Sequence, residues 1–231
     1  MSTADKAARS YYYRVMSKAN AKMTDWATQT EQDVLDQAIR LAPKQGWTWS
    51  MVRSSGAACG LTGPETELLL PHGPSDLAAL LSRRHDTLAL ERLPDPAGLK
   101  IRERIRAAVL ARLETAAADG PAVRRWAGWL GLPMNLPLAL RLVWESADSL
   151  WRWAGDTSTD ENHYSKRAIL AGILMSGLSL RLSSGVEATE RFVDGRIENV
   201  MAFEKWKAGV KPGDLLASLV VALGRLRYGH S

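Results

Sequence analysis

The chain has 231 residues, 46% hydrophobic and 24% charged, which allows one large domain or two small ones and excludes wholesale disorder. The formal net charge is +5, yet five basic residues (Lys6, Arg9, Arg14, Lys18, Lys22) against one acid (Asp5) fall within the first 24 positions. The remainder carries 25 basic and 24 acidic residues, a net of +1, so the excess belongs to a polar arm (1–29) and not to a basic body. That arm reads as solvated, the alternative being an arm that attracts nucleic acid or anionic lipid.

From Thr30 onward the apolar spacing is helical nearly throughout. Thr30 and Asp33 resemble a capping box, opening a helix with Val34, Leu35, Ala38, Ile39 and Leu41 on one face and ending at Gly46. A short helix follows over about 48–58, closed by Gly60. Thr62-Gly-Pro-Glu65 caps a third over about 64–70. Pro71-His-Gly-Pro74 breaks it, and a longer helix runs from Ser75 to about Leu93. After the Pro94–Gly98 loop, Ile101, Ile105, Ala108, Val109, Leu113 and Ala116 mark the next helix, with Arg102, Arg104 and Arg106 outside the stripe. Asp119-Gly-Pro121 starts a helix bearing Trp126, Trp129 and Leu130; Pro137–Ala154 carries Leu142, Trp144, Ala147, Leu150 and Trp151. Ser158-Thr-Asp-Glu161 and Ser184-Gly-Val-Glu187 cap two further helices, to about Leu182 and Lys207, and Lys211-Pro-Gly-Asp214 opens the last. The total is about ten helices, an all-α fold.

The first three helices, with Val34–Trp47, Thr48-Trp-Ser-Met-Val and Ala57-Ala-Cys-Gly-Leu-Thr-Gly-Pro-Glu, resemble the N-terminal helix-turn-helix of TetR-type regulators. That resemblance implies a helix-turn-helix region (30–93) and then a helical ligand-binding and dimerisation bundle (94–210); the apolar pattern beyond it adds a C-terminal amphipathic helix (211–231). The segment in the recognition position, Pro64–Gly73, carries Glu65 and Glu67 and no Lys or Arg. Carboxylates have the wrong sign for phosphate, and Leu68–Leu70 read as core, so the start is degenerate and no nucleic acid is expected. A ligand-responsive TetR-type transcriptional regulator remains the alternative.

Catalytic signatures are lacking: no G-x-S-x-G, P-loop or dinucleotide fingerprint occurs. Ser54–Gly60 is punctuation at a turn, and Glu187 with Glu190 sit where a helix dipole favours acids. Cys59 is the lone cysteine, and His72, His85, His163 and His230 show no metal spacing, so neither metal nor cofactor nor enzymatic activity is expected. No apolar run reaches the roughly 18–20 residues needed to cross a bilayer, nor is a signal peptide visible, which predicts a soluble intracellular protein. Met16 and Met23 are further candidate starts, and in a eukaryote the acid-poor arm could belong to an organellar presequence.

The most distinctive string is Ala154-Gly-Asp-Thr-Ser-Thr-Asp-Glu-Asn-His-Tyr-Ser-Lys-Arg167. It closely resembles the A-G-D-x-S-x-D-x-N-x-Y-[ST]-K/R-R block of the ubiquinone-biosynthesis accessory family that forms the ninth member of the eukaryotic Coq set. Ser146–Trp151 and Arg196–Lys205 fit the same family. The resemblance implies a TetR-like homodimer that does not read DNA, binds a phospholipid or an isoprenoid quinone intermediate, and presents it to the diiron demethoxyubiquinone hydroxylase. It also implies a peripheral place on the inner membrane, cytoplasmic in a bacterium and on the mitochondrial matrix side in a eukaryote. Leu150, His163 and Tyr164 fall on the family's hydroxylase-contacting patch, although Glu161 and His163 replace the aromatics of the usual D-F-N-W-Y.

Two stretches bear on lipid handling. Ala168–Leu180 is uncharged and rich in Ala, Gly and Ser, small residues that permit close helix packing or room for an apolar tail. With the nearby tryptophans it supplies the candidate lipid-binding set: Trp144, Trp151, Ile173, Leu174, Gly177 and Leu178. At about 100° per residue, Leu215, Leu216, Leu219, Val220, Leu223 and Leu226 share one side of the last helix. The pattern fits a helix docked on its own bundle and an interfacial helix equally; the resemblance implies the second, with Arg225 and Arg227 at lipid phosphates.

Overall fold

A computed structural model describes residues 26–157 and 161–209, with side chains at 161–162 and 200–209 left aside. Among these residues the chain is all-helical: α1 (26–45), α2 (Trp49–Ala58), α3 (Gly63–Leu69), α4 (Pro74–Glu91), α5 (Ile101–Ala118), α6 (Gly120–Leu130), α7 (Leu136–Trp153), α8 (Glu161–Ser184) and α9 (Val186–Gly209). Single 3₁₀ turns at Pro96–Gly98 and Pro133–Asn135 lead into α5 and α7. Most of the arm, the Ser158–Asp160 part of the proposed cap and the whole 211–231 segment lie outside the described residues.

Helix punctuation follows the sequence wherever one residue carries it. Gly46 ends α1 with φ +72, a left-handed conformation that strains any side chain with a Cβ. Thr48 accepts from Met51 N at the start of α2, and Thr62 with Glu65 forms the full capping box of α3. The two bonds from Thr62 hold the Glu65 carboxyl below its usual range. Thr30, however, is no cap: α1 already runs from residue 26, and its hydroxyl donates to Trp26 O at 2.8 Å within the helix. Residues 26–29 therefore belong to α1 and not to the arm. The leucines 68–70 also separate, since Leu70, which caps α3, is buried while Leu68 is 85% exposed on the outer face.

The helix-turn-helix closes through contacts that only small residues allow. A Cβ on Gly56 would fall 2.1 Å from Thr66 Oγ1, so α2 and α3 meet where the glycine leaves room. Trp47 donates from its ring nitrogen to Pro74 O (2.8 Å), tying the α1–α2 turn to the head of α4. Beneath these helices one core gathers Val34, Leu35, Leu77 and Leu81 with Val123, Trp126 and Leu130 of α6 and Leu142 of α7. A second gathers Ile105, Val109 and Leu113 with Ala147, Leu150, Leu170, Ile173 and Leu174. α4 and α5 lie side by side between the two, and α7 and α8 pack on them as a hairpin.

Candidate functional site

Two polar arrangements, each tied to an apolar surface, lie in the α5–α8 region. The first explains the 154–167 motif. Ala154 caps α7, Gly155 turns the chain at φ +89, and Asp156 follows. Asp156 is held by Lys166 Nζ (2.7 Å) and by Arg167 Nη1 (3.1 Å) from the first turns of α8. Arg167, only 2% exposed, also donates from Nε to Asp148 of α7 (2.6 Å), so two carboxylates neutralise one buried guanidinium. Arg104 closes the turn from α5, donating to Leu99 O (2.8 Å) and Ala154 O (2.9 Å); it is half-buried, not outside the bundle as its place off the apolar stripe implies. Trp151 donates to Lys166 O (3.1 Å) with the Lys166 ammonium 5.4 Å over its ring. The motif is thus an ionic clamp that fixes α8 against α7.

On the outside of that clamp, the exposed ring of Tyr164 lies 6.2 Å from Trp144 and edge-on to His163 at 5.2 Å. Leu150, expected beside them, is 0% exposed in the α5–α7–α8 core and offers no surface to a partner. Its position in α7 puts it on the face that packs inward, one turn from Ser146 and Ala147, which are also buried.

The second arrangement is a cleft of about 190 Å³ enclosed by α4–α8. Its walls include Leu113, Trp126, Leu130, Leu142, Leu174 and Leu178; at its mouth Leu136 and Met175 are exposed. Of the lipid-binding set read from the sequence, Leu174 and Leu178 line it. Trp144 and Trp151 lie on the clamp side, and Ile173 is in the second core. Gly177 serves helix packing: a Cβ there would come 2.8 Å from Leu113 Cδ1.

The cleft's floor is polar and escaped the sequence reading. Arg112 of α5, 6% exposed, donates from Nε to Asp86 of α4, and Ser146 of α7 donates to the other oxygen of that carboxylate (2.9 Å). Arg112 Nη2 reaches Ser82 O and Oγ at 3.5 and 3.4 Å. Arg112, Ser82 and Ser146 all line the cleft. A signal existed: Arg112 falls within the stripe 105, 108, 109, 112, 113, 116, where an ionic side chain demands a buried counter-charge. Next to Asp86, His85 is buried with Nε2 at 2.9 Å from Asp119 and Nδ1 unpartnered. Burial pushes its imidazole below the ordinary value of 6.5, outweighing the Asp119 hydrogen bond, and the nearby Arg112 charge acts in the same direction as burial. Among the described residues no group of three or more His, Cys, Asp or Glu side chains could hold a metal ion.

Two outcomes follow for stability. Arg167→Met removes the cation shared by Asp148 and Asp156, which keep only Arg152 and Lys166 respectively, and urea denaturation should show a loss of about 1–3 kcal/mol; an unchanged midpoint contradicts the clamp. Folded His85 binds its proton more weakly than the unfolded chain. Its contribution is therefore full above about pH 6.5 and is lost as pH falls through that value towards the lower folded one. The melting temperature should drop on acidification through this window, and His85→Gln should flatten the drop; equal slopes would contradict it.

Comparisons with known proteins agree with the motif. The family model described as COQ9 matches residues 136–204, which span α7, the clamp and most of α9. The ubiquinone biosynthesis protein COQ9-B, mitochondrial, of Xenopus laevis is 30% identical over 210 residues, covering 81% of this chain and 69% of the relative. The rat COQ9 protein is 29% identical over 209 residues (80% and 66%), and the human one 29% over 187 (75% and 58%). The chain thus spans between 58% and 69% of the length of these three relatives. It belongs to the COQ9 family.

Proposed function

We propose that this chain acts in ubiquinone biosynthesis as a non-catalytic accessory protein. It binds a phospholipid or an isoprenoid quinone intermediate and presents it to the diiron demethoxyubiquinone hydroxylase. The observation that carries the reading is the cleft, whose apolar walls, paired polar floor and open apolar mouth are the features of a small-molecule pocket. The pathway comes from the relatives, each named a ubiquinone biosynthesis protein.

The ionisable groups next to the ligand space favour holding over turnover. Arg112 and Asp86 neutralise each other, and His85 is turned to Asp119. The outer face of the helix-turn-helix speaks against transcriptional regulation, because Glu67 occupies the guanidinium of Arg53 at 3.1 Å and Glu65 is spent on capping. The aromatic surface of Trp144, His163 and Tyr164 is the proposed meeting point with the hydroxylase, now without Leu150. Among the described residues no helix is long and apolar enough to cross a membrane. Membrane contact is assigned instead to the 211–231 segment, through Leu215, Leu216, Leu219, Val220, Leu223 and Leu226 with Arg225 and Arg227 at the phosphates. The protein would work as a homodimer, peripheral on an inner membrane, as fits relatives named mitochondrial.

The test is mass spectrometry of lipids extracted from the purified full chain, alongside Ala139→Trp, which fills the cleft from α7. The native chain should carry an amphiphile and the variant at least about tenfold less at an unchanged fold by circular dichroism, equivalent to about 1.4 kcal/mol of lost affinity. An empty native protein that also ignores liposomes contradicts the proposal.

A further inference from the structure

The cleft is small and its floor is not inert. Pockets that enclose whole drug-sized ligands measure roughly 300–1,000 Å³, whereas an apolar cavity of about 150 Å³ admits a benzene ring. At about 190 Å³ the cleft matches one substituted six-membered ring and not a long prenyl chain or a pair of acyl chains.

Arg112 is the one ionic group in its lining, and its donors are unevenly used. Nε goes to Asp86 and Nη2 to Ser82, while Nη1 has no hydrogen-bond partner among the described residues. Nη1 is also not sealed in protein: the buried side-chain nitrogen without a partner among those residues is His85 Nδ1. A guanidinium on a side chain more than nine-tenths buried, lining a cavity with spare N–H donors, needs an acceptor from whatever enters.

The charge at the floor narrows the acceptor. Asp86 already neutralises Arg112, so an entering phosphate or carboxylate would bring an uncompensated anion into a buried, apolar space. A neutral carbonyl or ether oxygen accepts the same hydrogen bond without that cost. The way out is apolar: Met175 is 52% exposed at the mouth, with exposed Leu136 beside it and exposed Leu140 one turn along the same face of α7.

We propose that the cleft is a head-group pocket: it takes the neutral, oxygenated ring of an amphiphile, one ring oxygen accepting from Arg112 Nη1, and the apolar tail leaves past Leu136 and Met175. This rests on the lipid-binding reading above and adds to it the ligand's orientation, ring inward and tail outward.

Titration calorimetry on the full chain with three probes of equal tail length tests it: hexyl-benzoquinone, hexylbenzene and hexyl phosphate. One hydrogen bond to a charged donor predicts that the quinone binds about ten- to a hundredfold tighter than hexylbenzene, with hexyl phosphate no better than the hydrocarbon. Arg112→Lys, which keeps a cation beside Asp86 but removes the forked donor, should erase the quinone's advantage and leave hexylbenzene affinity unchanged. The native comparison stands by itself if that variant does not fold. Equal binding of quinone and hexylbenzene overturns the head-group assignment while sparing the lipid reading, and preferred binding of hexyl phosphate overturns it in favour of an anionic head. Binding of none of the three overturns both.

Discussion

The pairing of Arg112 with Asp86 is the constraint on which the rest of the architecture depends. An unpaired guanidinium at this depth would cost several kcal/mol, so α4 and α5 must meet in the one register that brings the two side chains together. Ser146 then fixes α7 by donating to the second carboxylate oxygen, which makes the pair a three-helix junction between the two apolar cores. The same junction is the floor of the cleft.

The ionic clamp at Arg167 plays the corresponding role on the other side of α7. It makes the polar string after Ala154, read from the sequence as a helix cap and a family block, the joint that sets α8 against α7. Two consequences follow. The α8 wall of the cleft, Leu174 and Leu178, is held at a fixed distance from α7, and Tyr164 is presented outward beside Trp144. Joint, cavity wall and aromatic surface therefore share one helix, α8, so a disturbance at the clamp would reach both the cleft and the aromatic surface.

What was legible in the sequence was what single residues decide locally. Gly46, Thr48, Thr62 with Glu65 and Pro74 ended or began helices at their own positions, since caps and left-handed turns need no tertiary help. The cap read at Ser184 is instead the last residue of α8, with Gly185 turning the chain at φ +84 before α9. Thr30 misled because a Thr inside a helix can turn its hydroxyl back to the carbonyl four residues earlier, leaving the same residue pattern as a cap. The candidate site was less legible. Leu174 and Leu178 were found because a helix rich in small residues points to the interior, but which apolar residues border a void depends on how five helices meet. Leu150 was placed on the surface by family likeness and is buried by its helical phase. Arg112, Asp86 and Ser146 were overlooked although each interrupts an apolar stripe, because their meaning lies in their mutual contact and no one-dimensional spacing shows it.

The most direct test of the central claim replaces the junction as a unit, with the paired substitution Arg112→Met and Asp86→Leu in the full chain. Exchanging a buried ion pair for apolar side chains is often neutral or stabilising by about 1–4 kcal/mol, so the double variant should fold at native stability or above. With its floor rendered apolar, it should lose the discrimination between an oxygenated ring and a hydrocarbon ring of the same size. A well-folded double variant that still prefers the oxygenated ring would show that the cleft owes its chemistry to something other than this pair.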